Sequence, residues 1–147
     1  NTGPKLIIIH INSIGGEMHI GFALMDIVRL STIETVAIVE GFAASAATLL
    51  VLGCTQRLMT RNSFMLVHQP SSMFEGTSQE WEHEDYNLKK MYKRMINVYK
   101  KRTNLSLSAI KDALCNDKYW DAKRCMAVGI IDCIASSDHV ALRISEL

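Results

Sequence analysis

The sequence LIIIHINSIGG, from Leu6 to Gly16, is the stretch that decides the fold class. Its first part, Leu6–Asn12, is a nearly continuous run of large aliphatic residues, most of them β-branched, and is typical of a strand buried on both faces of a parallel sheet. The segment Ser13–Gly16 breaks this run, and residues 17–30 then carry apolar side chains at helical spacing. A second buried strand is predicted at Thr35–Glu40 (TVAIVE).

The next segment repeats the alternation of strand and helix. We expect Gly41 to end the second strand and Ala44–Leu52 to form a helix, closed by Gly53 in the C′ position. Strand, helix, strand and helix within about fifty residues indicate an α/β fold with right-handed crossovers.

The rest of the chain continues the same domain. The pattern predicts strands at Arg57–Thr60 and Phe64–Val67 and a polar loop at Gln69–Ser78. A long helix follows at Ser78–Arg102, with Ser78 as its N-cap, and then a short helix from Ser106 or Ser108 to about Leu114. The last elements are a helix at Ala122–Val128, capped by Asp121 and stopped by Gly129, and a strand at Ile130–Ala135. No repeat, low-complexity tract or linker divides the chain, so we predict one domain spanning residues 1–147.

Composition excludes several classes of function. The chain has 147 residues, 48% of them apolar, and 16 basic residues against 15 acidic ones. This balance argues against nucleic-acid binding, which needs a clustered basic excess. A local basic run follows an acidic group on the long helix, and we expect both to form a solvated face with i,i+4 pairs. The run comprises Lys89, Lys90, Lys93, Arg94, Lys100, Lys101 and Arg102, and the acidic group Glu80, Glu82, Glu84 and Asp85.

The sequence also predicts a cellular compartment and the absence of a membrane span, a cofactor and a metal. Four scattered cysteines, with no CxxC pair or histidine at zinc-ligand spacing, fit a reducing compartment such as the cytoplasm or an organellar matrix rather than secretion. No segment reaches the roughly 18 consecutive apolar residues of a membrane span. Neither a dinucleotide fingerprint nor a phosphate-binding loop is present, so we expect no cofactor, no metal and no membrane partner.

Ser45 is the first candidate for chemistry. It lies in GFAASAA, directly after a buried strand and at a helix start, where unpaired amides can stabilise negative charge. An acyl-transfer nucleophile needs such a hydroxyl beside amide donors. On local pattern alone, an ordinary helix N-cap is the commoner explanation of a serine at this place.

A serine nucleophile needs a base, and His68 at the end of FMLVH is the natural candidate. His10 is its main rival, but it lies inside a predicted buried strand, where a core role is expected. His19, His83 and His139 lie in polar settings typical of the surface.

Two further elements complete a possible site. An acidic residue must hold the imidazole, and periodicity does not choose among Asp112, Asp117, Asp121 and Asp132. Asp117, in a break between helices and followed by Tyr119 and Trp120, is expected to be semi-buried against aromatic walls. Gly15-Gly16 lets backbone amides point into a site, although a plain tight turn would also use two glycines.

Taken together, four blocks resemble the family of Clp protease proteolytic subunits, ClpP, in its order and spacing. INSIGG (Ile11–Gly16) resembles the family's INSPGG, and the other three resemble its serine, histidine and aspartate blocks. These three are GFAASAATLLVLG (Gly41–Gly53), RNSFMLVHQP (Arg61–Pro70) and NDKYWDAKRCMAVGIID (Asn116–Asp132).

The resemblance implies a fold and a set of roles. The fold is a repeated β-β-α superhelix shared with the crotonase superfamily. The implied activity is that of a serine endopeptidase in which Ser45 is the nucleophile, His68 the base and Asp117 the residue that orients His68. The amides of Gly16 and Ala46 would hold the oxyanion. The implied partners are further copies of the chain in heptameric rings, single or stacked in pairs, unfolded polypeptide as substrate, and an AAA+ ATPase.

The sequence departs from the family pattern in four places. The family's N-terminal portion is absent, Ile14 replaces the usual proline, and the loop after Pro70 has one glycine where the family loop has several. The residues before Asp117 lack the family's arginine-aspartate pattern. Two alternatives therefore stay open: a catalytically inactive ring subunit, and a crotonase-like acyl-CoA enzyme. A related peptidase with a lysine base is disfavoured, because no lysine occupies a matching block.

Overall fold

The structure, a computed structural model, describes residue 3 and residues 5–136 of the chain. Its elements in chain order are β1 (Leu6–Ser13), α1 (Met18–Leu30), β2 (Glu34–Ala44), α2 (Ala46–Gly53), β3 (Gln56–Met59), β4 (Phe64–Leu66), α3 (Ser78–Arg102), α4 (Leu107–Cys115), β5 (Tyr119–Asp121), α5 (Ala122–Ala127) and β6 (Cys133–Ile134). They form a single mixed α/β domain, which confirms the predicted fold class.

The strand β2 is the centre of the sheet. Its first part, Val36–Val39, lies between β1 and β3, and both pairings are parallel. Its last three residues, Phe42–Ala44, pair in parallel with β4 instead. The outer strands complete the sheet, because β6 pairs with β3 in parallel and β5 pairs with β4 antiparallel.

The prediction that β2 ends at Gly41 was wrong, because Gly41 is where the strand changes partner. Its φ of +85° and its N–H, which donates to Ser63 Oγ at 2.7 Å, take this residue out of the regular ladder. The chain then resumes strand geometry beside β4 as far as Ala44. As a consequence, Ser45 sits at the tip of a sheet strand and the helix begins one residue later.

Helices α1 and α2 approach each other closely at two glycines. A Cβ on Gly21 would lie 2.8 Å from the Ala46 carbonyl oxygen, and one on Gly53 would lie 3.0 Å from the backbone of Met25. Gly53 was predicted as the C′ residue of α2, but it is the last residue of the helix, and Cys54 is the C-cap. The helix α2 is apolar on most faces, which suits its burial between α1 and the core.

The long helix α3 begins with a capping box that the sequence analysis missed. Thr77, rather than Ser78, is the N-cap, and its side chain and backbone N–H exchange hydrogen bonds with Glu80. Of its 25 residues only Met95 and Tyr99 are buried, both in the C-terminal half. The Asp85–Lys89 pair at 2.5 Å confirms the expected i,i+4 contact.

Arg102, at the end of α3, was expected on a solvated face, but its side chain contacts α2 instead. Its guanidinium donates to the carbonyls of Leu52 and Cys54 at 2.7 and 2.9 Å, so it caps the end of α2. Arg57 joins this region by donating to the carbonyl of Arg102 and to Asp132. These contacts tie α2, α3 and the C-terminal turn together on the side of β3.

The segment after α4 differs most from the prediction. Tyr119–Asp121 forms β5, which was not predicted, and the predicted last strand is reduced to Cys133–Ile134. Asp121 is the N-cap of α5, as predicted, and accepts from the Arg124 N–H at 2.7 Å. In residues 3 and 5–136, no helix is both long and apolar enough to cross a membrane.

Candidate active site

Ser45 occupies a strained turn between β2 and α2. Its φ and ψ are 54° and −127°, in a region that residues other than glycine rarely adopt. Its N–H donates to the Leu66 carbonyl at 2.9 Å, and its side chain makes no capping hydrogen bond to α2. This geometry differs from that of an ordinary N-cap, which has extended backbone and uses its side chain to cap the helix. Ser45 therefore resembles a nucleophile at a sharp strand-to-helix turn.

The glycine pair after β1 lies directly against this turn. Gly15 has φ of +95°, and a Cβ there would lie 2.6 Å from the Ala44 carbonyl oxygen and 2.8 Å from the Ser45 Cβ. The same Cβ would be 3.1 Å from the Ala46 nitrogen. Only glycine fits this position, so the pair is more than a tight turn that starts α1. A Cβ on Gly16, in contrast, would point into open space.

His68 follows β4, and its place is set by two strand registers. The parallel pairing of Ala44 with Leu66, continued by the hydrogen bond from the Ser45 N–H to the Leu66 carbonyl, places the end of β4, two residues before His68, beside Ser45. On the other side, β4 and β5 pair Leu66 with Tyr119, and continuing this antiparallel register by two residues brings His68 opposite Asp117. The His68 Nδ1 indeed lies 3.8 Å from Asp117 Oδ1.

Asp117 is the site residue whose surroundings were predicted wrongly. Its side chain is 73% exposed, whereas that of His68 is 24% exposed, so the carboxylate is not semi-buried against aromatic walls. The neighbouring Tyr119 ring packs on Phe42 instead, with ring centroids 5.2 Å apart. Asp117 lies two residues before the short edge strand β5, at a border of the sheet where Tyr119 is also exposed.

The other aspartates that the sequence left open have different partners. Asp121 caps α5, Asp132 pairs with Arg57 at 2.6 Å, and Asp112 accepts a hydrogen bond from the Asn116 amide at 2.9 Å. Asp117 is thus the member of this set that faces His68.

The remaining histidines lie elsewhere. His10 is not a core residue, as had been predicted: its side chain is 57% exposed and its Nδ1 lies 2.9 Å from Glu40. The strand β1 exposes this position because one end of its face is uncovered. His19 and His83 are exposed, as expected, and His139 lies outside the described residues.

A groove of about 360 Å³ opens beside Ser45. Its lining includes Gly16, Ser45 and Pro70 on one side and the α3 residues Leu88 and Met91 on the other. A smaller apolar cavity of about 160 Å³ adjoins the glycine pair and is lined by Ile20, Leu24 and Leu50, among others. The groove could hold an extended chain and the cavity an apolar side chain.

Two features of this region escaped the sequence analysis. The strand β5 carries no periodic signal, because three residues are too few to show one. Thr48 and Tyr99, which contact each other behind Ser45, read as ordinary helix residues in the sequence.

Among residues 3 and 5–136, no three His, Cys, Asp or Glu side chains form a group that could hold a metal ion.

Comparison with known proteins decides the family. The family model described as Clp protease matches residues 1–138. The chain belongs to this family. The proteolytic subunits of the Clp protease family are serine endopeptidases, so the crotonase-like acyl-CoA alternative is set aside.

Individual relatives agree with the family match. The chain is 30% identical over 134 residues to an ATP-dependent Clp protease proteolytic subunit of Pleurastrum terricola, covering 90% of this chain and 68% of the relative. A subunit of the same name from Epifagus virginiana is 34% identical over 134 residues, covering 89% and 68%. The match to the Mesostigma viride subunit, at 29% identity over 145 residues, covers 97% of this chain but only 61% of the relative. The chain thus spans about two thirds of the length of such relatives.

A solved structure supports the fold. A mutant of ClpP1 from Listeria monocytogenes superposes with a TM-score of 0.81, covering 91% of this chain and 75% of that chain. The sequence identity is 23%, so this likeness bears on the fold alone. The predicted ClpP-type architecture is therefore confirmed, while the roles of individual residues stay predictions.

Proposed function

We propose that this chain is a serine endopeptidase that cleaves polypeptides with Ser45, His68 and Asp117. The observation that carries the proposal is the turn at Ser45, which is strained, leaves the hydroxyl free of a capping bond and lies against Gly15 of the glycine pair. Strain of this kind costs about 1–3 kcal/mol and is found mostly at functional sites. The proposal takes its base from His68, two residues after the Leu66 carbonyl that accepts the Ser45 N–H, and its orienting carboxylate from Asp117, whose Oδ1 lies 3.8 Å from His68 Nδ1.

The reaction follows from these positions. Ser45 Oγ attacks the scissile carbonyl while His68 takes its proton. Asp117 lies on the Nδ1 side of His68, which leaves Nε2 for the serine proton. The developing oxyanion is held by the N–H groups of Gly16 and Ala46, and His68 then returns the proton to the leaving amine. Water repeats the sequence on the acyl-enzyme.

The groove and cavity suggest the kind of substrate. A polypeptide in extended form fits the groove between the Gly16 and Ser45 side and α3. The adjoining apolar cavity suits an aliphatic side chain next to the scissile bond. An unfolded chain meets these requirements, because a folded one does not present extended backbone.

The assembly and location are proposed from the family. We propose that residues 1–147 act as one peptidase domain within heptameric rings, single or stacked in pairs, to which an AAA+ ATPase delivers substrate. The four free cysteines, of which Cys54 and Cys125 are buried, suit a reducing compartment such as the cytoplasm or an organellar matrix.

A second candidate, an inactive ring subunit, is favoured by one observation. The 3.8 Å separation of His68 and Asp117 exceeds a hydrogen bond, so the orienting contact is not formed in this state. Such contacts are often loose before substrate binds and tighten in the complex. The geometry therefore leaves the active enzyme as the better proposal.

Labelling by a fluorophosphonate tests the proposal. We expect one covalent adduct per chain, located on Ser45 by mass spectrometry, and peptide hydrolysis that is inhibited in parallel. Ser45→Ala should abolish labelling and lower hydrolysis by about 10³-fold or more, and His68→Ala should come close to this effect. Ser108→Ala, which removes an exposed hydroxyl from α4, serves as the matched control and should behave as wild type. Wild-type protein that assembles but never labels would instead support the inactive subunit.

A further inference from the structure

A chain of buried hydroxyl groups connects α3 to the turn at Ser45. Tyr99 and Thr48 are both completely buried, and Tyr99 Oη lies 2.5 Å from Thr48 Oγ1. Thr48 Oγ1 lies 2.6 Å from the Ser45 carbonyl oxygen, which also accepts the Thr48 N–H at 3.0 Å. A threonine that bonds back to a carbonyl in its own helix is common, but here the carbonyl belongs to the strained residue and a tyrosine stands behind it.

The direction of each hydrogen bond follows from counting protons. The Ser45 carbonyl can only accept, so the Thr48 hydroxyl donates its one proton there. Tyr99 must then donate to Thr48 Oγ1, which polarises the threonine and strengthens its bond to the carbonyl. Burial raises the pKa of Tyr99, so its phenol keeps the proton at neutral pH.

The carbonyl that receives these bonds shares a peptide unit with the Ala46 N–H. The peptide unit is planar, so fixing the direction of its C=O also fixes the direction of its N–H, which points the opposite way. The Ala46 nitrogen faces the glycine turn, because a Cβ on Gly15 would come within 3.1 Å of it. The Thr48 N–H and the Thr48 hydroxyl both donate to the Ser45 carbonyl, and by holding it they keep the Ala46 N–H directed towards the glycine turn.

We propose that Thr48 and Tyr99 are positioning residues that lock the 45–46 peptide so that the Ala46 amide serves as an oxyanion donor. The inference rests on the proposed function. The Ser45 N–H bond to Leu66 fixes the turn from the strand side, and the hydroxyl pair fixes it from the helix side. Neither hydroxyl touches substrate; both act through the peptide between them and the site.

The test measures the rate at which a fluorophosphonate modifies Ser45, together with kcat and KM for a peptide. Thr48→Val removes the hydroxyl at constant shape, Thr48→Ser keeps it, and Tyr99→Phe removes a single oxygen from a residue that stays apolar and buried. Thr35→Val is the matched control: Thr35 is also completely buried and bonds to the Thr55 hydroxyl at 3.3 Å. It lies ten residues before Ser45 on β2, roughly 30 Å away along an extended strand.

Loss of one oxyanion donor costs about 10²–10³-fold in kcat, and misdirecting it costs less. We therefore expect Thr48→Val to slow both modification and kcat by about 10- to 100-fold with little change in KM, and Thr48→Ser to recover to within about 3-fold of wild type. Tyr99→Phe should give a smaller loss, and adding it to Thr48→Val should cause no further loss, because the two act in series. The shape of the pH profile of modification should stay that of wild type, because neither substitution changes a charged group. Thr35→Val should lose stability while keeping the rate per labelled site.

Two results would overturn the inference while leaving the proposed function intact. One is a wild-type rate of Ser45 modification in Thr48→Val and Tyr99→Phe; the other is a loss in Thr48→Val that Thr48→Ser fails to recover. Wild-type protein that is never modified at Ser45 would overturn the proposed function and this inference with it. If Thr48→Val does not fold, the comparison of Tyr99→Phe with wild type decides the question alone.

Discussion

The two halves of the candidate site are built in different ways. On the nucleophile side, both the N–H and the carbonyl of Ser45 are hydrogen-bonded to groups within the fold, and Gly15 packs against the turn without space for a methyl group. On the base side, His68 is largely buried but Asp117 is 73% exposed, and the two are 3.8 Å apart. The first half consists mainly of backbone held by the core, and the second of side chains at the edge of the sheet.

This difference teaches which half is preorganised. Backbone donors fixed by the core need no rearrangement when charge develops, which is where most electrostatic stabilisation originates. An exposed ion pair contributes little, commonly 0–1 kcal/mol, because water competes with both partners. We infer that the oxyanion side is ready in the free protein and that the base side completes its contact only with substrate bound.

Replacing Gly15 by alanine should have the largest effect and would break the nucleophile half. The added methyl group would meet the Ala44 carbonyl oxygen at 2.6 Å, and the φ of +95° is costly for alanine. The Ala44 carbonyl is backbone, and the Ser45 Cβ, 2.8 Å from the added methyl group, moves only with its own backbone. The turn at Ser45 must therefore shift. We expect fluorophosphonate modification of Ser45 and kcat to fall by about 10²–10³-fold, as on loss of an oxyanion donor.

Gly76→Ala is the control for this substitution. A methyl group at Gly76 would meet the Phe74 ring at 2.6 Å, but that ring belongs to a side chain that can move. Gly76→Ala should therefore leave the rate of modification within about twofold of wild type. Surface substitutions of this kind usually change the free energy of unfolding by no more than about 0.5 kcal/mol. Equal losses in the two variants would contradict the view that the glycine turn supports Ser45.

Asp117→Asn should have an intermediate effect and sharpens the comparison from the other side. The carboxylate is exposed and out of hydrogen-bond range of His68, so it should contribute less than a buried aspartate in such a site. We expect kcat to fall by about 10- to 100-fold, well below the roughly 10⁴-fold loss for a buried orienting aspartate. Steady-state hydrolysis of a peptide, compared with His68→Ala, measures the difference.

The size of this loss reports on the state of the base side during turnover. Lys118→Gln changes the charge of the adjacent exposed residue and should leave kcat nearly unchanged. A loss in Asp117→Asn as large as that in His68→Ala would mean that the contact becomes fully desolvated in the complex, against the expectation from its exposure.

The sequence allowed the nucleophile half to be predicted more fully than the base half. The strand before Ser45, the small residues around it and the glycine pair are local signals. The small residues and the glycine pair lie where they were expected, and the strand is present but runs on to Ala44 instead of ending at Gly41. The strain at Ser45 was not predictable, because it arises from the pairing of β2 with β4, whose residues lie twenty-two positions apart.

The base half depends on contacts distant in sequence. His68 was identified as a candidate from its place at a strand end. What brings Asp117 opposite it is the unpredicted strand β5, in which Tyr119 pairs with Leu66, 53 residues earlier in the chain. A three-residue strand gives no periodic pattern, and solvent exposure at a sheet edge has no local signature. The capping box at Thr77 and Glu80 was missed for a simpler reason: the neighbouring Ser78 is an equally good N-cap by residue type.

The smallest effect should come from Thr77→Ala, which tests whether the long helix supports the groove independently of the nucleophile turn. Thr77 donates hydrogen bonds from its backbone N–H and its hydroxyl to Glu80, and these bonds lower the pKa of that carboxylate. Loss of an N-cap side chain costs about 1 kcal/mol in the free energy of unfolding. Because α3 reaches the core through Met95 and Tyr99, far from its N-terminus, Ser45 modification should stay within about twofold of wild type.

The pH dependence of this effect has a definite sign. A carboxylate whose pKa is lower in the folded state stabilises the fold above its ordinary pKa, and the contribution is lost as the pH falls through the lowered value. Denaturant unfolding should therefore show Thr77→Ala less stable than wild type at neutral pH and the difference shrinking in acid, while Thr77→Ser, which keeps the hydroxyl, follows wild type. A difference that stays constant from neutral to acid pH would mean that the bond from the Thr77 hydroxyl to Glu80 does not contribute to the lowered pKa of that carboxylate. A fall in Ser45 modification that accompanied the loss of the cap would show that the start of α3 reaches the nucleophile half, and the two halves would then have to be treated as one coupled unit.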